Sequence, residues 1–182
     1  LSGYSGSTKT LVDDLFVQVD QHNHLMSDKY IDTFHSMQKA QAVVSQAFDY
    51  AETSGVDYDG IFSSAGAAES KIGKKLKTIA KFIAGRNSNQ NKRPVFFIKM
   101  GGFDTHQNIL ADHQVLMSEL NNALKAFKDC LTVQNDFDKV LTFAGSEFGR
   151  TLTPNKTDSS AGTDHAWGGH AILMGNMVNG GQ

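Results

Sequence analysis

Pro94-Val95-Phe96-Phe97-Ile98-Lys99-Met100, followed directly by Gly101-Gly102-Phe103-Asp104-Thr105-His106, is the stretch on which the architecture turns. A short continuous apolar run behind a turn signal reads as a buried strand, and the polar loop before it (RNSNQNKR) supplies that signal. Downstream, Leu110, His113, Met117, Leu120, Leu124, Phe127 and Leu131 alternate in steps of three and four, the spacing of a core-facing helix. Lys139-Val-Leu-Thr-Phe-Ala144 then reads as a second strand. Strand, helix, strand in that order predicts a right-handed crossover and a parallel pair, hence an α/β sheet.

Working outward, residues 1–60 form a mainly helical lead-in and residues 61–182 a sheet core, within one α/β domain. Leu11, Leu15 and Val19 recur every four residues and mark a short helix opening after Ser7. Ile31, Phe34, Ala40, Val44, Ala47, Phe48 and Ala51 mark a long helix from near Ser27 to Gly55. Residues 56–66, rich in Gly, Ser and Asp, read as loop. Ile72, Leu76, Ile79, Ala80 and Ile83 give the stripe of a third helix stopped at Gly85. The small-polar start (LSGYSGS) and the Gly180-Gly181-Gln182 end, just after an apolar run, read as the edges of a piece of a longer protein.

Composition narrows the class. A hydrophobic fraction of 40% over 182 residues is enough for a core, and about 100–200 residues is the usual span of a domain. No window reaches the roughly 18 consecutive apolar residues of a membrane span. The single cysteine, Cys130, excludes an internal disulfide and a thiolate cluster. Charge is segregated: nine acidic residues between Asp13 and Asp59 oppose only Lys29 and Lys39, whereas Lys71 to Lys99 carries nine basic residues and no acid. Two readings follow, helices with complementary solvated faces or a basic rim that draws an anionic ligand to a site reached through Lys99. The basic stretch lacks the aromatic interleaving that stacks bases, so nucleic acid is not an expected partner.

Chemistry concentrates in three loops. Asp104 and His106 stand two apart after the first strand, where open α/β sheets bind ligands; they read as cation ligands, or Asp104 or Thr105 caps the next helix. Gly145-Ser146-Glu147-Phe148-Gly149-Arg150-Thr151 offers Glu147 as a ligand or acid/base group and Arg150 as a planar anion clamp, or the two form an ordinary ion pair. Ser146 lacks the flanking glycines of a nucleophile elbow, since Ala144 and Phe148 occupy those places. Gly162-Thr-Asp164-His165-Ala-Trp-Gly-Gly-His170 adds an adjacent Asp164 and His165. His170 reads as a hydrogen-bonded core histidine, and His113 as a core or supporting residue. Together these oxygen and imidazole groups suit Zn²⁺, Mn²⁺ or Ca²⁺, which activates water or polarises a phosphoryl or sulfuryl oxygen.

GGFDTHQN, SEFGRT about forty residues later, and GTDHAWGGHAILMGNMVNGG resemble, in order and separation, the bacterial domain of unknown function 1501 family. Its members are typically longer, and many carry a twin-arginine signal. The resemblance therefore implies a periplasmic or exported protein, with an N-terminal part of the same protein as a partner. The family is similar to the alkaline phosphatase and sulfatase superfamily. That implies a three-layer α/β sandwich, here in part, with a mostly parallel sheet between helices. Asp104 and His106 resemble the Asp and His that follow one superfamily strand, and His165 resembles a last ligand His. Where the superfamily has a further Asp-His pair this chain has Ser146-Glu147, and the superfamily nucleophile belongs to the N-terminal half.

The expected function is metal-dependent hydrolysis of phosphate or sulfate esters on a small anionic substrate. Asp104, His106, Glu147 and His165 would be ligands, with Glu147, Arg150 and Asp164 as catalytic groups. The alternative is a non-catalytic exported binding or assembly protein whose polar motifs are structural networks. A serine hydrolase using Ser146 with His165 or His170 is the third reading.

Overall fold

A computed structural model describes Asp14, residues 25–87 and residues 93–180. The expected helix on Leu11, Leu15 and Val19 lies outside these residues, as does most of the polar loop before Pro94. Among the described residues four α-helices dominate: α1 (Leu25–Thr53), α2 (Tyr58–Ser64), α3 (Lys71–Ala84) and α4 (Ile109–Val133). Four short strands follow: β1 (Thr142–Gly145), β2 (Gly149–Arg150), β3 (His165–Ala166) and β4 (Ala171–Met174).

Each helix forms where its apolar spacing supplies a face to bury. Along α1, Ile31, Ala47 and Ala51 are buried and Phe34, Val44 and Phe48 half-buried, so the stripe read from the sequence faces inward, except for exposed Ala40. Helix α2 corrects the loop expected over residues 56–66. Asp57 caps it by accepting the Gly60 N–H at 2.8 Å, and Tyr58 and Phe62, one turn apart, bury themselves in the core. Helix α3 opens on Ser70, whose hydroxyl accepts the Gly73 N–H at 3.0 Å, and buries Ile72, Leu76, Ala80 and Ile83 before ending at Gly85. It packs on both α1 and α4, and α2 packs against α3 and α4. Leu110 and Met117 of the stripe expected on α4 are exposed; the buried positions are Ala123, Ala126, Phe127, Cys130 and Leu131. Phe62, Leu131 and Cys130 are the largest side chains wholly removed from solvent.

Electrostatics pin the helices together locally. Lys77 reaches Asp59 at 2.5 Å and Lys81 reaches Glu52 at 2.7 Å, so basic α3 spends lysines on the acidic elements beside it. That is the complementary-face arrangement. Asp136, 3% exposed, accepts from Arg86 at 2.5 Å, Lys139 at 3.2 Å and Gln134 at 3.2 Å. A buried carboxylate satisfied by several donors ties the end of α3 to the end of α4.

The sheet differs from the sequence expectation in kind. The expected alkaline-phosphatase-like α/β sandwich with a mostly parallel sheet is not what the chain forms: the described residues make a helical core with two short antiparallel strand pairs. The stretch 94–100 forms no strand and pairs with none among the described residues. Its side chains alternate in exposure. Phe96 sets its ring edge-on to Phe82 at 5.4 Å, and Ile98 and Met100 pack on the core, while Val95 and Phe97 remain 93% and 92% exposed. An apolar run alone could not reveal that only one of its faces is covered.

The second expected strand survives as β1, but its partner is β4, antiparallel, with Thr142 opposite Met174 and Gly145 opposite Ala171. Strand β2 pairs antiparallel with β3, Gly149 opposite Ala166 and Arg150 opposite His165. The two ladders are concentric, forming one long hairpin-like excursion whose far end is the polar loop 151–164. Pairing across this local excursion replaces the crossover over α4. No helix among the described residues is long and apolar enough to cross a membrane.

Candidate functional site

The inner ladder builds the site. Because Arg150 and His165 are directly paired across β2 and β3, their side chains reach the same neighbour, Asp104 in the loop before α4. Asp104 Oδ1 lies 2.8 Å from His165 Nε2, 2.9 Å from His106 Nε2 and 2.6 Å from Arg150 Nη1. His106 Nδ1 in turn faces Asp164 Oδ1 at 3.3 Å. The hydrogen bond from His165, joined by that from Arg150 and by the nearby imidazoles, holds the Asp104 carboxyl below the usual carboxylate range.

Several contacts fix the ligand-bearing loops. Arg150 donates to the carbonyl of Thr105 at 2.8 Å, to the hydroxyl of Thr163 at 3.0 Å and to the carbonyl of Thr163. Asn155 bridges the same loops, donating to the His106 carbonyl at 2.8 Å and accepting the Gly162 N–H at 2.9 Å. Gly162 sits so close to the His106 backbone that a Cβ would lie 2.0 Å from its carbonyl carbon, so only glycine fits. Thr163 N–H donates to the Thr105 carbonyl at 3.2 Å, and the Asn108 and Ile109 N–H groups donate to the carbonyls of Ser160 and Ala161. The returning loop therefore takes up two N–H groups at the start of α4. Neither Asp104 nor Thr105 caps it, and Asn108 at the cap makes no side-chain bond.

The imidazoles are held by packing as well. Phe148 stacks on His165 with centroids 4.2 Å apart and planes 18° from parallel, and the His106 and His165 rings lie 5.3 Å apart. His113 Nε2 is 3.0 Å from the Thr105 hydroxyl and meets the Phe103 ring edge-on, a supporting place under the loop.

Of the sequence candidates, the fold gathers Asp104, His106 and His165 so that one ligand atom from each lies within 4.8 Å of the others, with Asp164 and Arg150 against them. Glu147 stands outside this cluster. It is exposed and lines an adjoining cleft of about 510 Å³ with Ser146, Phe148, Trp167 and His170. His170 is exposed instead of sitting in the core, and the Ser146 hydroxyl donates to the carbonyl of Phe148. Sequence reading missed Asn155. Its only signal was an Asn in a polar loop, and its role exists only once two loops meet.

The site is thus a two-histidine, one-carboxylate cluster carried on the loop before α4 and on β3, beside a helical core. The chain belongs to the family described as Protein of unknown function (DUF1501), whose model matches residues 10–182. Neither the curated proteins nor the solved structures compared with it contain a match.

Proposed function

We propose that Asp104, His106 and His165 bind a divalent cation and that the protein uses this site to hydrolyse phosphate or sulfate esters. One observation carries the reading: two imidazole Nε2 atoms, 61 and 2 residues from Asp104 in the chain, converge within 2.9 Å of a single carboxylate oxygen. The donor set fits. Two imidazoles and a carboxylate suit Zn²⁺ or Mn²⁺ better than Ca²⁺, which favours six to eight oxygens. Tetrahedral coordination would spread the donors to about 3.3 Å apart, a small opening for side chains that are each about half exposed.

A cation held there lowers the pKa of bound water and polarises an ester oxygen. The chain's own residues prepare the site. Asp164 faces Nδ1 of His106 and so holds Nε2 toward Asp104, while Phe148 fixes the plane of His165. Arg150 acts here as the clamp on Asp104 and the two threonine carbonyls, not as a free anion fork. Export to the periplasm or beyond accompanies this reading on the strength of the family resemblance.

Metal analysis and calorimetry with Zn²⁺ and Mn²⁺ test the proposal, alongside p-nitrophenyl phosphate and p-nitrophenyl sulfate as substrates. Stoichiometric binding that Asp104→Asn and His165→Ala abolish, with cation-dependent release of p-nitrophenol, is the expected result. Absence of binding by the native protein would overturn it. The bonds of Arg150 to Asp104, Thr105 and Thr163 favour the second reading, a non-catalytic binding or assembly protein with a structural network. In that case the same variants lose stability while the native chain takes up no cation.

A further inference from the structure

We infer that the cleft beside the cluster is a subsite for a neutral hydroxylated ring, a monosaccharide unit borne by the ester. The inference rests on the cation-site reading only for the place of the reacting group. The cleft is built into the hairpin. Between the outer ladder, ending at Gly145 opposite Ala171, and the inner ladder, starting at Gly149 opposite Ala166, the chain inserts residues 146–148 on one side and 167–170 on the other. The unequal insert parts the two ladders, and the residues that flank the gap are the ones that line the cleft. Irregularities of this kind re-aim side chains at sites. The cleft is open to solvent, with a volume of about 510 Å³.

The lining states the chemistry. Trp167, the one tryptophan of the chain, is 97% exposed, which leaves a large flat apolar face open to solvent. Gly168, at φ +85°, and Gly169 add no side chain over it, and nothing lies within 4 Å of where a Gly168 Cβ would sit. Among the described residues no lysine or arginine lines the cleft, and Glu147 is its one carboxylate, so an anionic group is repelled from it. An apolar C–H face suits the indole, and hydroxyl donors suit Glu147; His170 and Ser146 add further polar groups. A plain aryl ring would use Trp167 and leave the carboxylate without a partner. Phe148 joins the two places, because it lines the cleft and stacks on His165. The cleft and the cation cluster thus lie on either side of one aromatic ring.

The single tryptophan makes the test direct. Intrinsic fluorescence of the full chain is titrated with glucose, galactose and mannose, their methyl glycosides, and phenol, in native protein and in Glu147→Ala and Asp104→Asn. A saturable blue shift with at least one sugar is expected, with binding about ten-fold weaker in Glu147→Ala, the loss of one hydrogen bond to a charged acceptor. The shift persists in Asp104→Asn, so failure of cation binding and failure of the ring subsite are read separately. Unchanged, solvent-exposed emission with every sugar to tens of millimolar overturns the inference. So does a response to phenol alone, or one of equal strength in Glu147→Ala.

Discussion

Replacing Arg150 by alanine separates the anion clamp read from the sequence from the structural clamp on Asp104, which stands where a pair with Glu147 was the other expectation. The Arg150 side chain is only 12% exposed, and its guanidinium donates to Asp104, to the Thr105 carbonyl, and to both the carbonyl and hydroxyl of Thr163. Thr105 and Thr163 are themselves buried, 5% and 7% exposed. In Arg150→Ala the Thr105 carbonyl keeps the N–H of Thr163, at 3.2 Å. The Thr163 carbonyl loses the partner it has among the described residues. A buried acceptor left unsatisfied costs about 1–3 kcal/mol, and the lost bond to the Thr163 hydroxyl adds about 1 kcal/mol. The expected destabilisation is therefore about 2–4 kcal/mol, measured by urea denaturation followed by far-UV circular dichroism. Arg150→Lys keeps one donor but not the fork and should lose about half as much. Zn²⁺ affinity should fall about 10–100-fold in Arg150→Ala, because Asp104 loses the group that aims it. If Arg150 were instead a free anion clamp, stability would stay within about 0.5 kcal/mol and only phosphate or sulfate binding would suffer. Unchanged stability and unchanged Zn²⁺ affinity would refute the clamp.

Gly162→Ala places a Cβ against the His106 backbone, 2.0 Å from its carbonyl carbon, so the two ligand loops must part; cation binding should weaken more than ten-fold while the circular dichroism of the helices is retained. Leu131→Ala removes a wholly buried side chain and should cost about 2–5 kcal/mol in urea denaturation. Burial pushes the Cys130 thiol up to about 12, so the native protein should not react with Ellman's reagent until denaturant opens the core. Asp104 has a depressed native pKa, against about 3.9 in an unfolded chain, so its contribution to stability is complete above that value and is lost as pH falls through the native one. The urea midpoint should decline on the acid side of about pH 4, and Asp104→Asn should flatten part of that decline; identical acid profiles for the two proteins would contradict the assignment.

The amino-acid sequence determined the long helices α1, α3 and α4, but not α2, which it read as loop. Amphipathic spacing over many residues is a local signal, and the stripes of α1 and α3 lie inward where periodicity puts them, because burying an apolar face needs only some neighbour to bury it against. It also marked Asp104, His106 and His165 as chemistry-bearing groups, since such residues flanked by glycines stand out in a chain that is otherwise apolar or solvated. Pairing was not legible. The run 94–100 has the composition of a central strand, yet whether its second face is covered, and whether β1 takes a parallel partner across α4 or an antiparallel one in β4, depends on which distant segment arrives. The same dependence governs the site. Arg150 became a clamp, Glu147 went to the cleft and Asn155 gained a role only when the 151–164 loop folded back over residues 104–109. Tertiary structure decided these because a hydrogen bond or a strand ladder is a relation between two segments, whereas periodicity and composition belong to one.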